Sequence, residues 1–250
     1  MSFKVVNFIV PVLPDFDPKI LYGKINIGSS LKINFVFVVD GAGPEKEIDC
    51  FKIIPLGRNF GQYYSIYQGM KFLINESNSD SLIIVCDLDA ISYILKKLDE
   101  IRELVDSGFI VVGINRSKKR RNIVIDFLSE LFYSFISLII KNYLKVFNIE
   151  ADYYLRDLKY ITSFSAFPSE YLKDILDYSR FFRIYIFSLF IMDIDKKKCC
   201  FRKRILFLDI SDFRNPLDVK SSYSFFKLLK LSFSAMQDLL SFFFILPKLL

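Results

Sequence analysis

The stretch Ser81–Ala90 joins an apolar run to two aspartates, and it constrains the fold more than any other segment. Its four consecutive apolar residues, Leu82–Val85, predict a short strand buried on both faces, as in a parallel sheet. Asp87 and Asp89 follow at once and would lie at the carboxyl end of that strand. Open α/β sheets bind their ligands in the crevice outside the carboxyl ends of the strands. The segment therefore predicts an α/β fold with two acidic residues at the sheet edge where such folds bind ligands.

These two aspartates have two interpretations. A pair of carboxylates one residue apart suits a hard divalent cation, because Mg²⁺ or Mn²⁺ takes one or two protein carboxylates and completes its shell with substrate phosphates. Alternatively, Asp87 caps the next helix and Asp89 is a solvated loop acid. The segment by itself leaves both interpretations open.

Strand and helix patterns alternate along the first half of the chain, which indicates a largely parallel sheet with helices on both faces. The predicted strands are Phe3–Val12, Ile33–Val39, Phe51–Pro55, Ser81–Cys86 and Phe109–Gly113. Helices are predicted from Pro18, at Gln62–Ile74, and across the apolar positions Ile94, Leu98, Ile101 and Val105. Asp15 and Asp40 follow the first two strands, so they should share one sheet edge with the Asp87–Asp89 pair.

The second half alternates less regularly. Helices are predicted at Ile123–Lys145, Pro168–Tyr178 and Ser222–Phe244, a strand at Ser163–Phe167, and either structure at Ile184–Ile194 and Ile205–Ile210. The Ser222–Phe244 helix has a narrow polar stripe on an otherwise apolar surface. Such a helix is either buried in the core or lies in a membrane interface, and both alternatives stay open.

The composition excludes several kinds of site. The 250 residues include no histidine, which excludes histidine metal ligands, Ser-His-Asp triads and Cys-His dyads. The four cysteines lack zinc-ligand spacing, so we expect reduced cytosolic thiols.

The net charge is +6, with basic clusters at 117–121 and 196–204 that are either solvated faces or contacts to phosphates and an anionic membrane surface. Neither cluster has a nucleic-acid-binding motif, so no nucleic acid partner is expected.

No apolar run reaches the roughly 18–20 residues that cross a bilayer. The amino-terminal residues lack the pattern of a secretory signal peptide. We therefore expect a chain without a transmembrane span. The reduced thiols and the interfacial alternative for Ser222–Phe244 add the expectation of a cytoplasmic protein, peripherally bound to the cytoplasmic face of a membrane.

The order of these features resembles family 2 glycosyltransferases of the GT-A fold, in particular the branch that glycosylates dolichyl or undecaprenyl phosphate. The resemblance covers nearly the whole chain, and it rests on six short motifs in the family's order. They are Pro11–Asp15, Val39–Ala42, Asn59–Gly61, Asp87–Asp89, Gly113–Arg121 with Ser129–Tyr133 beyond it, and Arg214–Tyr223. The resemblance implies a 1–220 GT-A domain, with a nucleotide-sugar half at about 1–115 and an acceptor half at about 116–220, followed by an amphipathic juxtamembrane segment at 221–250.

The resemblance also implies an activity. The enzyme would be a metal-dependent glycosyltransferase of the hexosyltransferase type, which transfers a sugar with inversion of configuration at its anomeric carbon. The donor is a UDP- or GDP-sugar, and the acceptor is a polyprenyl phosphate or polyprenyl-linked saccharide in cell-surface polysaccharide biosynthesis. Mg²⁺ or Mn²⁺ is the implied cofactor, with Asp87 and Asp89 as metal ligands and Asp89 and Arg116 as catalytic residues. The nucleotide-sugar site implied is Pro11, Asp15, Asp40, Asn59, Gly61 and Asp87. The acceptor-phosphate site implied is Arg116, Lys119, Arg120, Arg121, Arg214, Ser222 and Tyr223.

The residue inventory favours a phosphate acceptor. A hydroxyl acceptor needs a general base, and histidine, the commonest one, is missing from this chain. A phosphate is already anionic at neutral pH and needs only cations to position it, which the basic residues of 116–121 supply. The alternative for this basic run is a solvated loop or a contact with lipid headgroups.

Two other functions and the oligomeric state remain open. Val39 stands where the resemblance leads us to expect a second acid, and Ser165 where many relatives have an arginine. These two differences support a second hypothesis, a membrane-associated binding or scaffold protein with weakened catalysis. A nucleotidyltransferase is a third hypothesis, although Pro11–Asp17 lacks the glycine-rich basic loop expected after its first strand. Whether the protein forms a homo-oligomer is also left open by the sequence.

Overall fold

The computed structural model describes residues 3–16, 31–43, 46–48, 50–76, 80–115, 161–179 and 205–210, position 189, and single positions within 134–145 and 237–244. The chain forms two compact units, one of 1–112 with 163–206 and one of 113–162 with 207–250. Across these described residues, no helix is both long enough and apolar enough to cross a membrane.

The described residues form an α/β fold with a mixed, mostly parallel sheet flanked by helices. Its strand order is β3-β4-β2-β1-β5-β7-β6-β8. The strands are β1 (Val5–Val12), β2 (Lys32–Val39), β3 (Lys46–Ile48), β4 (Phe51–Pro55), β5 (Ser81–Val85), β6 (Ile110–Ile114), β7 (Ile161–Pro168) and β8 (Ile205–Asp209). The helices are α1 (Gln62–Glu76), α2 (Ile91–Lys96), α3 (Leu98–Asp106) and α4 (Leu172–Ser179), and 3-10 turns occupy Leu88–Ala90 and Ser169–Tyr171.

Four parallel neighbours, β4, β2, β1 and β5, form the centre of the first unit. The edge strand β3 is antiparallel to β4, and β7 is antiparallel to β5. Every residue of β5 is buried, as expected for a strand covered on both faces. The acidic segment after β5 is thus carried by a fully covered strand.

The two faces of the central strands are packed differently. One face is covered by α1, where Gly69 lets the helix approach Ile9 of β1 and Val38 of β2. The other face is aromatic, and the Phe8 and Phe35 rings lie 4.7 Å apart. The Phe35 and Phe37 rings each stack on Phe51, at 5.6 and 5.8 Å. The residues of both faces are buried, as Ile9 and Val38 are on one face and Phe8, Phe35 and Phe37 on the other.

The structure confirms the predicted α/β class and the largely parallel sheet. The five strands predicted in the first half are present within two residues of their predicted ends, and so is the strand predicted at Ser163–Phe167. The ambiguous stretch Ile205–Ile210 contains strand β8. The short edge strand β3 had not been predicted, because its Lys46-Glu47-Ile48 sequence has no apolar run.

Two helix predictions need correction. The helix predicted across Ile94–Val105 is two helices, because the backbone leaves the helical conformation at Lys97, with φ −102° and ψ 8°. Its predicted apolar positions are nevertheless all buried. Pro168 does not open an α-helix directly; it precedes a 3-10 turn that leads into α4. The helix predicted from Pro18 and the stretch Ile184–Ile194, except the helical position Leu189, lie outside the described residues.

Candidate functional site

The carboxyl ends of β4, β2, β1 and β5 lie side by side, because these strands are parallel neighbours. The next strand in the chain after β1 is β2, which lies on one side of β1 in the sheet. β5 lies on the other side of β1, and the strand that follows it, β6, lies farther in that second direction. Such a reversal is the topological switch point at which open α/β sheets bind ligands. Asp15 follows β1, Asp40 follows β2, and Asp87 and Asp89 follow β5. The structure thus places all four aspartates on the edge that contains this switch point.

Asp40 fixes the loop between β4 and α1. Its carboxylate is buried, with 7% of the residue exposed. Oδ1 accepts hydrogen bonds from the backbone N–H groups of Phe60 (2.6 Å) and Gly61 (3.1 Å), and Oδ2 accepts from Gly61 (3.0 Å). Gly61 has a φ of +96°, a left-handed conformation that glycine adopts without a steric penalty. The contact ties the end of β2 to the start of α1.

Asp87 is oriented by the first residue of α1. Gln62 Nε2 donates a hydrogen bond of 2.5 Å to Asp87 Oδ1. Asp87 begins the 3-10 turn Leu88–Ala90 and accepts Ala90 N–H through its backbone carbonyl, at 3.1 Å. Its side chain makes no capping hydrogen bond to this turn. The structure therefore does not show the helix-capping role that was considered for the Asp87 side chain. Asp89 is exposed, as expected both of a solvated loop acid and of an acid that faces a ligand.

The negative charge of the pair acts on the end of β5. Burial raises the pKa of the Cys86 thiol well above its usual value, and the Asp87 and Asp89 carboxylates raise it further. Cys86 is therefore a neutral thiol at physiological pH. It has no nucleophilic role to offer at this edge, because the thiolate is the nucleophile.

The described loops of this edge are acidic. Residues 13–16, 40–43, 56–62 and 86–92 contain four aspartates and one cation, Arg58. An anionic ligand such as a diphosphate would be repelled by these carboxylates unless cations offset them. Arg58 is one such cation, and a bound metal ion would be another.

Asp87 and Asp89 are the candidate metal ligands at this edge. Within the described residues, no group of three or more His, Cys, Asp or Glu side chains is arranged to hold a metal ion. A closed structural cage made only of protein ligands is thus absent from that part of the chain. A divalent ion such as Mg²⁺ or Mn²⁺ needs only one or two protein carboxylates, because it takes its other ligands from water and substrate phosphate. Asp87 and Asp89 are the residues that could supply them at this edge.

Of the remaining residues of the expected site, the nucleotide-sugar residues lie within the described part of the chain and the acceptor residues lie outside it. Pro11 is half-buried within β1, Asp15 and Asn59 are exposed beyond their strands, and Gly61 is in the loop held by Asp40. The expected acceptor residues Arg116, Lys119, Arg120, Arg121, Arg214, Ser222 and Tyr223 lie outside the described residues.

Sequence reasoning missed Gln62 and the loop contact of Asp40. Gln62 was assigned only to the start of a helix, and no local pattern connects it with Asp87, 25 positions away. Gly61 marks a turn in the sequence, but nothing local connects the N–H groups of that turn with Asp40, 21 positions away. The partner of those N–H groups is visible only in the structure.

No protein-family model matches this sequence, and no curated protein matches it either.

Proposed function

We propose that this protein is a metal-dependent, inverting glycosyltransferase with a GT-A domain. It moves a sugar from a nucleotide diphosphate-sugar to a polyprenyl-phosphate or polyprenyl-linked acceptor at a membrane surface. The observation that supports this most is the Asp87–Asp89 pair at the carboxyl end of a buried parallel strand, next to the switch point, with Gln62 orienting Asp87.

The chemistry follows from the charges at this edge. In the proposed step an acceptor phosphate oxygen attacks C1 of the sugar, and the bond from C1 to the β-phosphate oxygen breaks with its electron pair leaving on the nucleoside diphosphate. No proton has to be removed from the phosphate, which suits a chain without histidine. A divalent cation held by Asp87 and Asp89 would offset the charge that develops on the leaving diphosphate.

The nucleotide half of the site is assigned in the same proposal. Asp40 holds the loop that includes Asn59 and Gly61 and accepts hydrogen bonds from the base or ribose beside it. Asp15 and Pro11 help to hold the nucleotide at the end of β1. In the acceptor half, Arg116, Lys119, Arg120, Arg121, Arg214, Ser222 and Tyr223 position the acceptor phosphate.

The membrane part of the proposal is supported by exposed apolar side chains in the second unit. Phe135 and Leu138, one turn apart at helical positions, are 54% and 56% exposed. Lys141 and Lys145 follow at helical spacing and are exposed as well. Apolar side chains beside lysines suit a helix lying in an anionic membrane surface. Leu240 and Phe244 are also exposed at helical positions, which favours the surface alternative over core burial for that stretch.

One observation favours a second candidate, a GT-A-like binding or scaffold protein with weakened catalysis. The Asp40 carboxylate is buried and already engaged with Phe60 and Gly61, so less of its accepting capacity faces a nucleotide. The missing acid at Val39 adds to this.

The test combines binding and turnover. Purified full-length protein is offered a panel of UDP- and GDP-sugars with Mn²⁺ or Mg²⁺ and a polyprenyl-phosphate acceptor, and transfer of radiolabelled sugar is measured. We expect transfer that requires the metal, and a loss of about 100-fold or more in Asp87→Asn and Asp89→Asn, since a Lewis acid contributes several kcal/mol to the barrier.

Asp80→Asn is the matched control, because Asp80 is exposed and precedes the opposite end of β5. Full activity of Asp89→Asn would refute the metal role. Tight donor binding without turnover would favour the scaffold candidate, and the absence of any donor binding would count against both.

A further inference from the structure

Arg58 lies next to a row of three aromatic side chains, Phe60, Tyr64 and Tyr67, which begins in the loop at the carboxyl edge. Its guanidinium is 4.5 Å from the centroid of the Phe60 ring. The Phe60 and Tyr64 ring centroids are 4.5 Å apart, and the Tyr64 and Tyr67 centroids are 6.2 Å apart. Although these rings touch one another, Phe60 and Tyr64 remain 41% and 40% exposed. A surface loop therefore carries a cation that lies over the first of three neighbouring aromatic rings.

The loop that carries Arg58 is fixed at both ends by hydrogen bonds. Leu56 N–H donates to the Val39 carbonyl at 3.0 Å, and Gly57 N–H donates to the Gly41 carbonyl at 2.9 Å. The Asp40 carboxylate accepts from the N–H groups of Phe60 and Gly61 at the other end of the loop. Arg58 thus projects from a segment bound at both ends, and its position is defined relative to the sheet edge.

Arg58 is also the only cation among the described residues of the four edge loops, which contain four aspartates. A guanidinium stacked on a ring keeps the N–H donors in its plane directed away from that ring. These donors match the oxygens of a phosphate in a bidentate arrangement.

We propose that Arg58 is an anion-binding residue that takes the diphosphate group of the ligand at this edge, and that Phe60 is the positioning residue that holds its guanidinium. The inference rests on the proposed function for the source of the diphosphate, a nucleotide diphosphate-sugar. The Arg58–diphosphate contact itself is testable with simpler probes.

The experiment is isothermal titration calorimetry on the full-length chain with Mg²⁺. Pyrophosphate, UDP, GDP and the corresponding nucleosides are titrated into wild type, Arg58→Gln, Arg58→Lys and Phe60→Leu. We expect Arg58→Gln to weaken pyrophosphate and nucleoside diphosphate binding by about 10- to 100-fold, as for the loss of charged hydrogen bonds. Nucleoside binding should not change. Arg58→Lys and Phe60→Leu should give intermediate losses, since one loses the planar fork and the other loses the ring that orients it.

Lys52→Gln is the matched control. Lys52 also lies over an aromatic ring, with Nζ 5.6 Å from the Phe72 centroid, but it belongs to the body of β4. Lys52→Gln removes the same charge and should leave pyrophosphate binding unchanged. Equal thermal unfolding of wild type and the Arg58 variants would show that the fold is kept.

The outcomes separate this inference from the proposed function. Wild-type affinity for pyrophosphate in Arg58→Gln would overturn the inference, as would an equal loss in Lys52→Gln. Pyrophosphate binding that depends on Arg58, in a protein that binds no nucleotide sugar, would support the inference and refute the proposed donor. Failure of the wild-type chain to bind pyrophosphate or any nucleoside diphosphate would overturn both.

Discussion

Asp40 has a structural task that its motif does not reveal. The family resemblance assigns it to the nucleotide, but its carboxylate is buried and accepts two backbone N–H groups from the following loop. A buried carboxylate is costly unless such donors satisfy it. Asp40 therefore supports the loop that carries Arg58 and Phe60.

Asp40→Asn should lower the free energy of unfolding by about 1–3 kcal/mol, because the amide keeps one acceptor oxygen and turns an NH₂ group towards a backbone donor. Urea denaturation measures this loss. Hydrogen exchange should show faster exchange at the Phe60 and Gly61 amides. Asp15→Asn, at an exposed acid after β1, is the control and should change neither. Unchanged protection at Phe60 and Gly61 in Asp40→Asn would contradict the assignment.

Cys86 shows the effect of the aspartate pair on a neighbouring group. It is fully buried, and burial together with Asp87 and Asp89 raises the pKa of its thiol. Alkylation requires the thiolate and access to reagent, so both requirements fail in the native protein. We predict that iodoacetamide at pH 8 modifies the half-buried Cys50 at least about tenfold faster than Cys86, a difference that urea should abolish. Peptide mass spectrometry measures both rates, and rapid native labelling of Cys86 would contradict its burial.

At the scale of elements, α1 is the helix that connects the core with the site. Its inner face carries Ile66, Met70 and Leu73, all buried, with Gly69 between them. Its first residue, Gln62, holds Asp87, and the loop before it is held by Asp40. A shift of α1 on the sheet would therefore displace Gln62 at the edge.

The close approach at Gly69 can be tested by adding a side chain. A Cβ at this position would lie 2.5 Å from Ile9 Cγ2 and 3.2 Å from Val38 Cγ2, closer than packed atoms allow. Gly69→Val should lower the free energy of unfolding by about 1–3 kcal/mol, as overpacking does. Lys71→Val places the same side chain at an exposed position of α1 and should cost less. Chemical denaturation compares the two, and equal losses would contradict the tight contact.

Strands were predicted more accurately than helix boundaries. A strand such as β4 can be recognised from a few neighbouring residues, because it is a short apolar run followed by turn residues. Its predicted ends match the structure. The break at Lys97 was missed because apolar residues continue at helical spacing on both sides of it. Side-chain periodicity reports which face is buried, and it does not report whether the backbone hydrogen bonds continue.

At the scale of the whole molecule, the net charge and the exposed apolar side chains both support the proposed contact with an anionic membrane surface. The chain carries a net charge of +6, and Phe135, Leu138, Leu240 and Phe244 are exposed at helical positions of the second unit. Apolar contact with lipid and attraction to anionic headgroups reinforce each other.

We predict that the full-length chain sediments with vesicles rich in phosphatidylglycerol, and more weakly with neutral vesicles or at high salt. Replacing Phe135 and Leu138 with serine should weaken sedimentation about tenfold or more, since two apolar side chains no longer leave water on binding. Asn142→Ser changes an exposed polar residue of the same helical stretch and is the control. A double variant that binds like wild type would remove this stretch from the proposed membrane surface.

The sequence by itself determined the α/β class, the positions of the main strands, and the acidic residues at their carboxyl ends. Apolar runs and turn residues are local, so neighbouring positions suffice to detect them. Only the tertiary structure decided which strands are neighbours and therefore where the switch point lies. It also decided the partners of the aspartates, because Phe60 and Gly61 are 20 and 21 positions from Asp40, and Gln62 is 25 from Asp87. Contacts at such separations depend on how the chain returns across the sheet, and no local pattern records that path.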